Sequence, residues 1–123
     1  MNIVCSITGK HIVRQDWYGE GEHKHSKDRV CIPVQCDALR GWKGYLNVYQ
    51  GNYALVSDGS LVIDGKVSLY LPNPQYLKED GTCKPGIVDP GGYSFDGKMV
   101  EMIKPDEMKN VVIKNAKAWE QLM

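Results

Sequence analysis

The chain has 123 residues, too few for a second independent core, so it reads as one domain over 1–123. Apolar residues at 42% and charged residues at 24% are the proportions of an ordinary globular domain, not of a disordered chain. Fifteen basic side chains balance fifteen acidic ones, and without a basic excess to displace counterions neither duplex nucleic acid nor an anionic membrane is an expected partner.

The segment Met1 to Lys10 lacks the basic start and apolar length of an export signal, and no run approaches the roughly 18 apolar residues of a spanning helix. A cytoplasmic protein is therefore expected, with Cys5, Cys31, Cys36 and Cys83 reduced. In an exported chain these four cysteines would allow three pairings, which the sequence does not separate.

Ile3, Cys5 and Ile7 alternate as in a strand, and Thr8-Gly9-Lys10 predicts a turn into His11-Ile12-Val13-Arg14, making an N-terminal hairpin. From Gln15 to Asp28 the alternation vanishes in a polar, glycine-punctuated stretch, which predicts an exposed loop opened by Trp17-Tyr18. Val30, Ile32, Val34 and Cys36 then share one parity. Pro33 within that run cannot donate to a ladder, so the strand should lie at an edge or carry a bulge. Asp37 to Gly41 has the caps of a single helical turn.

A meander follows. Tyr45 to Tyr49 reads as a strand, Gly51-Asn52 as a reversal, and Tyr53 to Val56 as the next strand. Asp-Gly pairs stand at Asp58-Gly59, Asp64-Gly65, Asp80-Gly81 and Asp96-Gly97, and Asp-Gly supplies the positive φ of a two-residue hairpin turn. Two have apolar strands on both sides. Leu61 to Ile63 and Val67 to Leu71 flank Asp64-Gly65; Tyr93 to Phe95 and Met99 to Ile103 flank Asp96-Gly97. Between them, Pro72, Pro74, Pro85 and Pro90 mark a long irregular connection.

Pro105, Asp106 and Glu107 suit a helix start, and Met108, Val111, Val112, Asn115, Ala116, Trp119 and Leu122 recur at helical spacing. A C-terminal helix over about 105–122 is predicted, docked by Trp119. The β-branched run Val111-Val112-Ile113 offers a strand with a shorter helix as the alternative. The fold class expected is α+β: a small antiparallel sheet or partly open barrel of roughly six to eight short strands with that helix packed on it.

Chemistry is thinly marked. Cys5, His11, His23, His25, Cys31 and Cys36 form the only cysteine–histidine cluster, but no strict zinc-ligand pair is present. Cys31 and Cys36 have opposite parity in one strand and face opposite sides unless Pro33 bends it. A zinc-stabilised module using Cys5, Cys31, Cys36 and a histidine is the second reading; otherwise no cofactor is expected. No motif of nucleophilic, phosphate-loop, metalloprotease or calcium-site chemistry occurs. A small enzyme, with Cys31 or Cys83 beside a histidine, ranks third.

Seven tyrosines and three tryptophans stand against one phenylalanine, a bias toward aromatics with a hydrogen-bonding tip. The preferred reading is a non-enzymatic binding or inhibitor module. It would engage a protein or a small anionic ligand through Trp17, Tyr18, His23, His25, Arg29, Arg40 and Trp42. Phage-encoded accessory proteins are an analogy for such a module, and an open sheet edge would allow a homodimer.

Overall fold

The computed structural model describes residues 2–36, 42–104, 107 and 110–116. Its strands are β1 Ile3–Ile7, β2 Ile12–Tyr18, β3 His25–Cys36, β4 Trp42–Tyr49, β5 Tyr53–Leu55, β6 Leu61–Pro72, β7 Gly92–Ile103 and β8 Asn110–Ile113. All pair antiparallel, and only two short 3-10 turns, Gly21–His23 and Pro74–Tyr76, are helical among the described residues. One side of β6 holds β4 and β5, and the other holds β7. From β4 the sheet continues through β3 and β1 to β8. It curls until the end of β8 meets β7, where Lys98 and Lys114 exchange backbone hydrogen bonds of 2.9 Å each way.

The concave side is the core. Alternate residues of every long strand point into it: Ile32 and Val34 from β3, Leu46 and Val48 from β4, Leu69 and Leu71 from β6, all with no exposed surface. Burying each such side chain contributes on the order of 1.5–3 kcal/mol, which is what holds a curled sheet against flattening.

Two expected reversals are kinks. Both β1 and β2 run antiparallel to β3, so they run the same way and cannot form the N-terminal hairpin. Residues 8–11 bulge out of one long edge, opposite Ile32 and Pro33. Pro33 causes this: its carbonyl accepts from Thr8 N at 3.0 Å, but its nitrogen, on the same side, has no hydrogen to give. The strand is thus not at an edge, being paired on both sides, and the bulge falls in its neighbour. Likewise β4 and β5 both run antiparallel to β6, and Gly51-Asn52 bends one strand instead of reversing it.

The Asp-Gly pairs divide. Asp58-Gly59 turns β5 into β6, with Gly59 at φ 84° and Asp58 Oδ1 accepting from Ser60 N at 2.8 Å. Asp80-Gly81 is also a turn, closed by Thr82 N on Asp80 Oδ1 at 3.0 Å. Asp64-Gly65 and Asp96-Gly97, the pairs with apolar flanks, lie inside β6 and β7, which pair over twelve residues from Leu61↔Ile103 to Pro72↔Gly92. Gly97 is there for space, and Gly65 both for space and for its φ of 137°. A Cβ on Gly65 would strike the side-chain oxygen of Asn52, from the β4–β5 kink, and one on Gly97 would overlap Ile113 of β8.

The expected C-terminal helix is contradicted. Asn110–Ile113 pair with β1 from Ser6↔Asn110 to Ile3↔Ile113. Val111 and Ile113 are buried while Val112 is not, the two-residue period of a strand. β-Branched side chains fit a pleat better than a helix, and β1 offered an edge to pair with. Over the described residues the fold is antiparallel β, not α+β. Pro105, Asp106, Met108, Trp119 and Leu122, and the helical turn expected at 37–41, lie outside the described residues.

The loop expected over 15–28 is a β-ribbon. Seven pairs join β2 to β3, from Ile12↔Cys31 to Tyr18↔His25. Pairing of β3 with β4 ends at Arg29↔Tyr49, so the ribbon projects beyond the sheet by four residue pairs, about 13 Å. With no core beneath the arm, neither of its faces needs to be apolar, which erased the alternation that would have marked strands.

Candidate functional site

The convex face over β2, β3, β4 and β6 carries a shallow cleft of about 280 Å³, lined by Arg14, Arg29, Cys31, Tyr45, Asn47 and Tyr70. Strand register assembles it. One row across the sheet is Arg14↔Arg29↔Tyr49, the next Cys31↔Asn47↔Ser68, and the third Pro33↔Tyr45↔Tyr70. Side chains of one parity share a face, so these three rows stack along it.

Arg29 is held from two sides. Its Nη2 donates to Asp16 Oδ1 at 3.2 Å and its Nη1 to Asn47 Oδ1 at 3.1 Å. Nε lies 2.9 Å from Asp16 Oδ2, an ion-pair contact off the hydrogen-bond axis. Cys31 Sγ, buried, also donates to Asn47 Oδ1, at 3.4 Å. Arg14, directly opposite Arg29, is exposed, and its side chain has no hydrogen bond or ion pair with any described residue. Two guanidinium groups thus face one carboxylate. Like charges opposite each other across a ladder are unfavourable, so an anion between them would relieve the site.

The aromatic walls are half open, Tyr45 at 50% and Tyr70 at 37% exposed. Tyr70 leans over Gly92, where a Cβ would overlap its ring. On the core side of the sheet, partial burial and then the negative charge of Asp28 raise the Tyr53 phenol above its ordinary range.

Of the residues expected from sequence, only Arg29 lies in this cleft. Trp17, Tyr18, His23 and His25 sit on the projecting arm, all exposed. Tyr18 and His25 pair across the ladder with ring centroids 5.4 Å apart, and the Lys24 ammonium stands 5.2 Å over Trp17. Neighbours along a strand face opposite sides, so Trp17 and Tyr18 do not act on one surface. Arg40 lies outside the described residues; Trp42 begins β4, and only its backbone is described. Sequence reading passed over Arg14, Tyr45, Asn47 and Tyr70, whose proximity follows only from register.

The cysteine–histidine cluster does not form. Cys5 and Cys36 are bonded to each other inside the core, contrary to the expectation of reduced thiols, and Cys31 lies on the convex side of the wall. The zinc set is thereby divided by the sheet, as the parity of Cys31 and Cys36 required. Among the described residues no group of three or more histidine, cysteine, aspartate or glutamate side chains could hold a metal ion. Nor is any helix among them long and apolar enough to cross a membrane. The chain matches no family model, no curated protein and no solved structure.

Proposed function

We propose that this chain is a non-enzymatic binding module that takes an anionic ligand in the convex cleft. The observation that carries the reading is Arg14, whose side chain has no partner among the described residues, opposite Arg29, whose own charge Asp16 already satisfies. A guanidinium fixed by two neighbours is pre-organised, and a free one beside it supplies the bidentate fork that carboxylates and phosphates accept. Among the described residues no group placed as an acid, base or activated nucleophile lines the cleft, since Cys31 is engaged by Asn47.

The test is an NMR titration of the whole protein with phosphate, benzoate and nucleotides, following the amides of Arg14, Arg29, Asn47 and Tyr70. Saturable shifts confined to these residues, lost in Arg14→Gln, are expected. Linear shifts for every probe, or shifts centred elsewhere, would refute it.

A protein partner is the second reading, favoured by the arm. Trp17 is 58% and Tyr18 55% exposed on a ribbon that contributes nothing to the core. Trp17→Ala should then remove capture of that partner while leaving the melting temperature within about a degree, as for a surface residue.

A further inference from the structure

We infer that the ligand of the convex cleft is a nucleotide unit, a flat base joined through a pentose to a phosphate. The inference rests on the anion reading above and narrows it.

Three features of the cleft select this chemistry. The first is a slot for a ring. Tyr45 and Tyr70 are opposite each other in the β4–β6 register, where tyrosines usually meet. Here they make no ring contact with each other, because Tyr70 leans the other way, over Gly92. Both half-exposed tyrosines line the cleft, and base–tyrosine stacking tolerates any base.

The second is the distance from ring to charge. Arg29 is four residues along β3 from Pro33, the partner of Tyr45, and Nη1 of Arg29 reaches back to the row of Asn47 midway. The Arg29 head, held between Asn47 and Asp16, therefore sits roughly 7–13 Å from the tyrosine row, two to four residues at about 3.3 Å each. Benzoate-like ligands carry their charge on the ring itself and cannot span that separation. A sugar between base and phosphate can.

The third is a buried donor. Asn47 is 8% exposed, and its Oδ1 already accepts from both Arg29 and Cys31. Its amide nitrogen makes no hydrogen bond with a described residue, which leaves an NH₂ in the cleft floor between ring slot and cations. It matches an oxygen of a pentose or a base carbonyl.

Free nucleotides and single-stranded nucleic acid share this unit. Lys27, over the Tyr49 ring at 5.2 Å, and the Tyr18–His25 pair lie on the same face beyond Arg29, a path that a strand could follow.

The experiment is titration of the intact protein, by calorimetry and amide NMR, with uridine and adenosine 5′-monophosphates, uridine, inorganic phosphate, benzoate and a ten-nucleotide oligothymidine. A monophosphate should bind at least about tenfold more tightly than uridine or phosphate alone, since stacking and a charge-assisted bond act together. Arg14→Gln should weaken it about tenfold and Tyr45→Ala about fivefold or more, whereas Tyr45→Phe should keep affinity because stacking needs the ring alone. Binding of the oligonucleotide with none of the monophosphates assigns the unit to a single strand; equal binding of both assigns it to free nucleotide. If benzoate or phosphate binds as tightly as any nucleotide, this inference falls and the anion reading stands. If no probe shifts the cleft, both fall.

Discussion

Ile113 occupies the space that a side chain at Gly97 would need. The two residues belong to β8 and β7, and one position further along the chain from each, Lys98 and Lys114 form the bridge that, among the described residues, joins the curled sheet to its own far edge. Closure and glycine are one arrangement: the backbone of β7 is bare where the last strand crosses it.

Gly97→Ala should therefore destabilise the protein by about 1–3 kcal/mol through overpacking, measured as a lowered urea midpoint. Val100→Ala, at a residue 57% exposed on the same strand, should stay within about 0.5 kcal/mol. Equal effects at the two positions would show that Ile113 does not press on β7.

The two arginines of the cleft should behave oppositely toward folding. Arg29→Ala removes hydrogen bonds to Asp16 and Asn47 and should cost about 1–2 kcal/mol, discounted because the ion pair is partly exposed. Arg14→Gln relieves a like-charge pair and should leave stability unchanged or slightly higher. Denaturant melts of the two variants decide it. A large loss in Arg14→Gln would give Arg14 a structural role.

Counting thiols checks the bond inside the core. Denatured but unreduced protein should show two reactive thiols of the four cysteines, Cys31 and Cys83, and in native protein only the exposed Cys83 should react quickly. Replacing Cys5 and Cys36 together by alanine should cost about 3 kcal/mol, since the bond closes a separation of 31 residues. Four thiols on denaturation would remove this prediction.

Asp58 and Asp80 should titrate below their ordinary value of 3.8, because the carboxylates accept hydrogen bonds from Ser60 and Thr82 respectively. The sign follows directly. A carboxyl depressed in the folded state contributes stability at pH above 3.8, and that contribution is lost as pH falls through the folded value. Carboxyl chemical shifts against pH would show both midpoints displaced downward, and in Asp58→Asn the acid limb of the β5–β6 turn's stability should flatten. An upward displacement at either residue would contradict the turn geometry.

Much of the strand content was legible from alternation. Ile3, Cys5 and Ile7 and the odd-numbered residues of β6 announce an inward face because a core lies beneath them. The opposite parity of Cys31 and Cys36 placed them on opposite sides of the wall, as found. The arm was not legible: with water on both faces, Gln15 to Asp28 carried no period to read. The helical spacing of Val111, Val112, Asn115 and Ala116 misled because two residues of a strand and two of the bend after it happened to fall on one helical face.

From residues alone came the antiparallel character, the inward faces of the strands, and the turns at Asp58 and Asp80. Each depends on local φ and ψ preferences or on alternation, and such signals act within a few positions along the chain. Only the tertiary structure decided whether a glycine turns the chain or makes room, and which side chains share the convex cleft. Gly65 and Gly97 answer to Asn52 and Ile113, and Arg14 meets Tyr70 across three ladders. Contacts between segments so far apart are set by how the sheet curls, a property no short stretch of the polypeptide holds by itself.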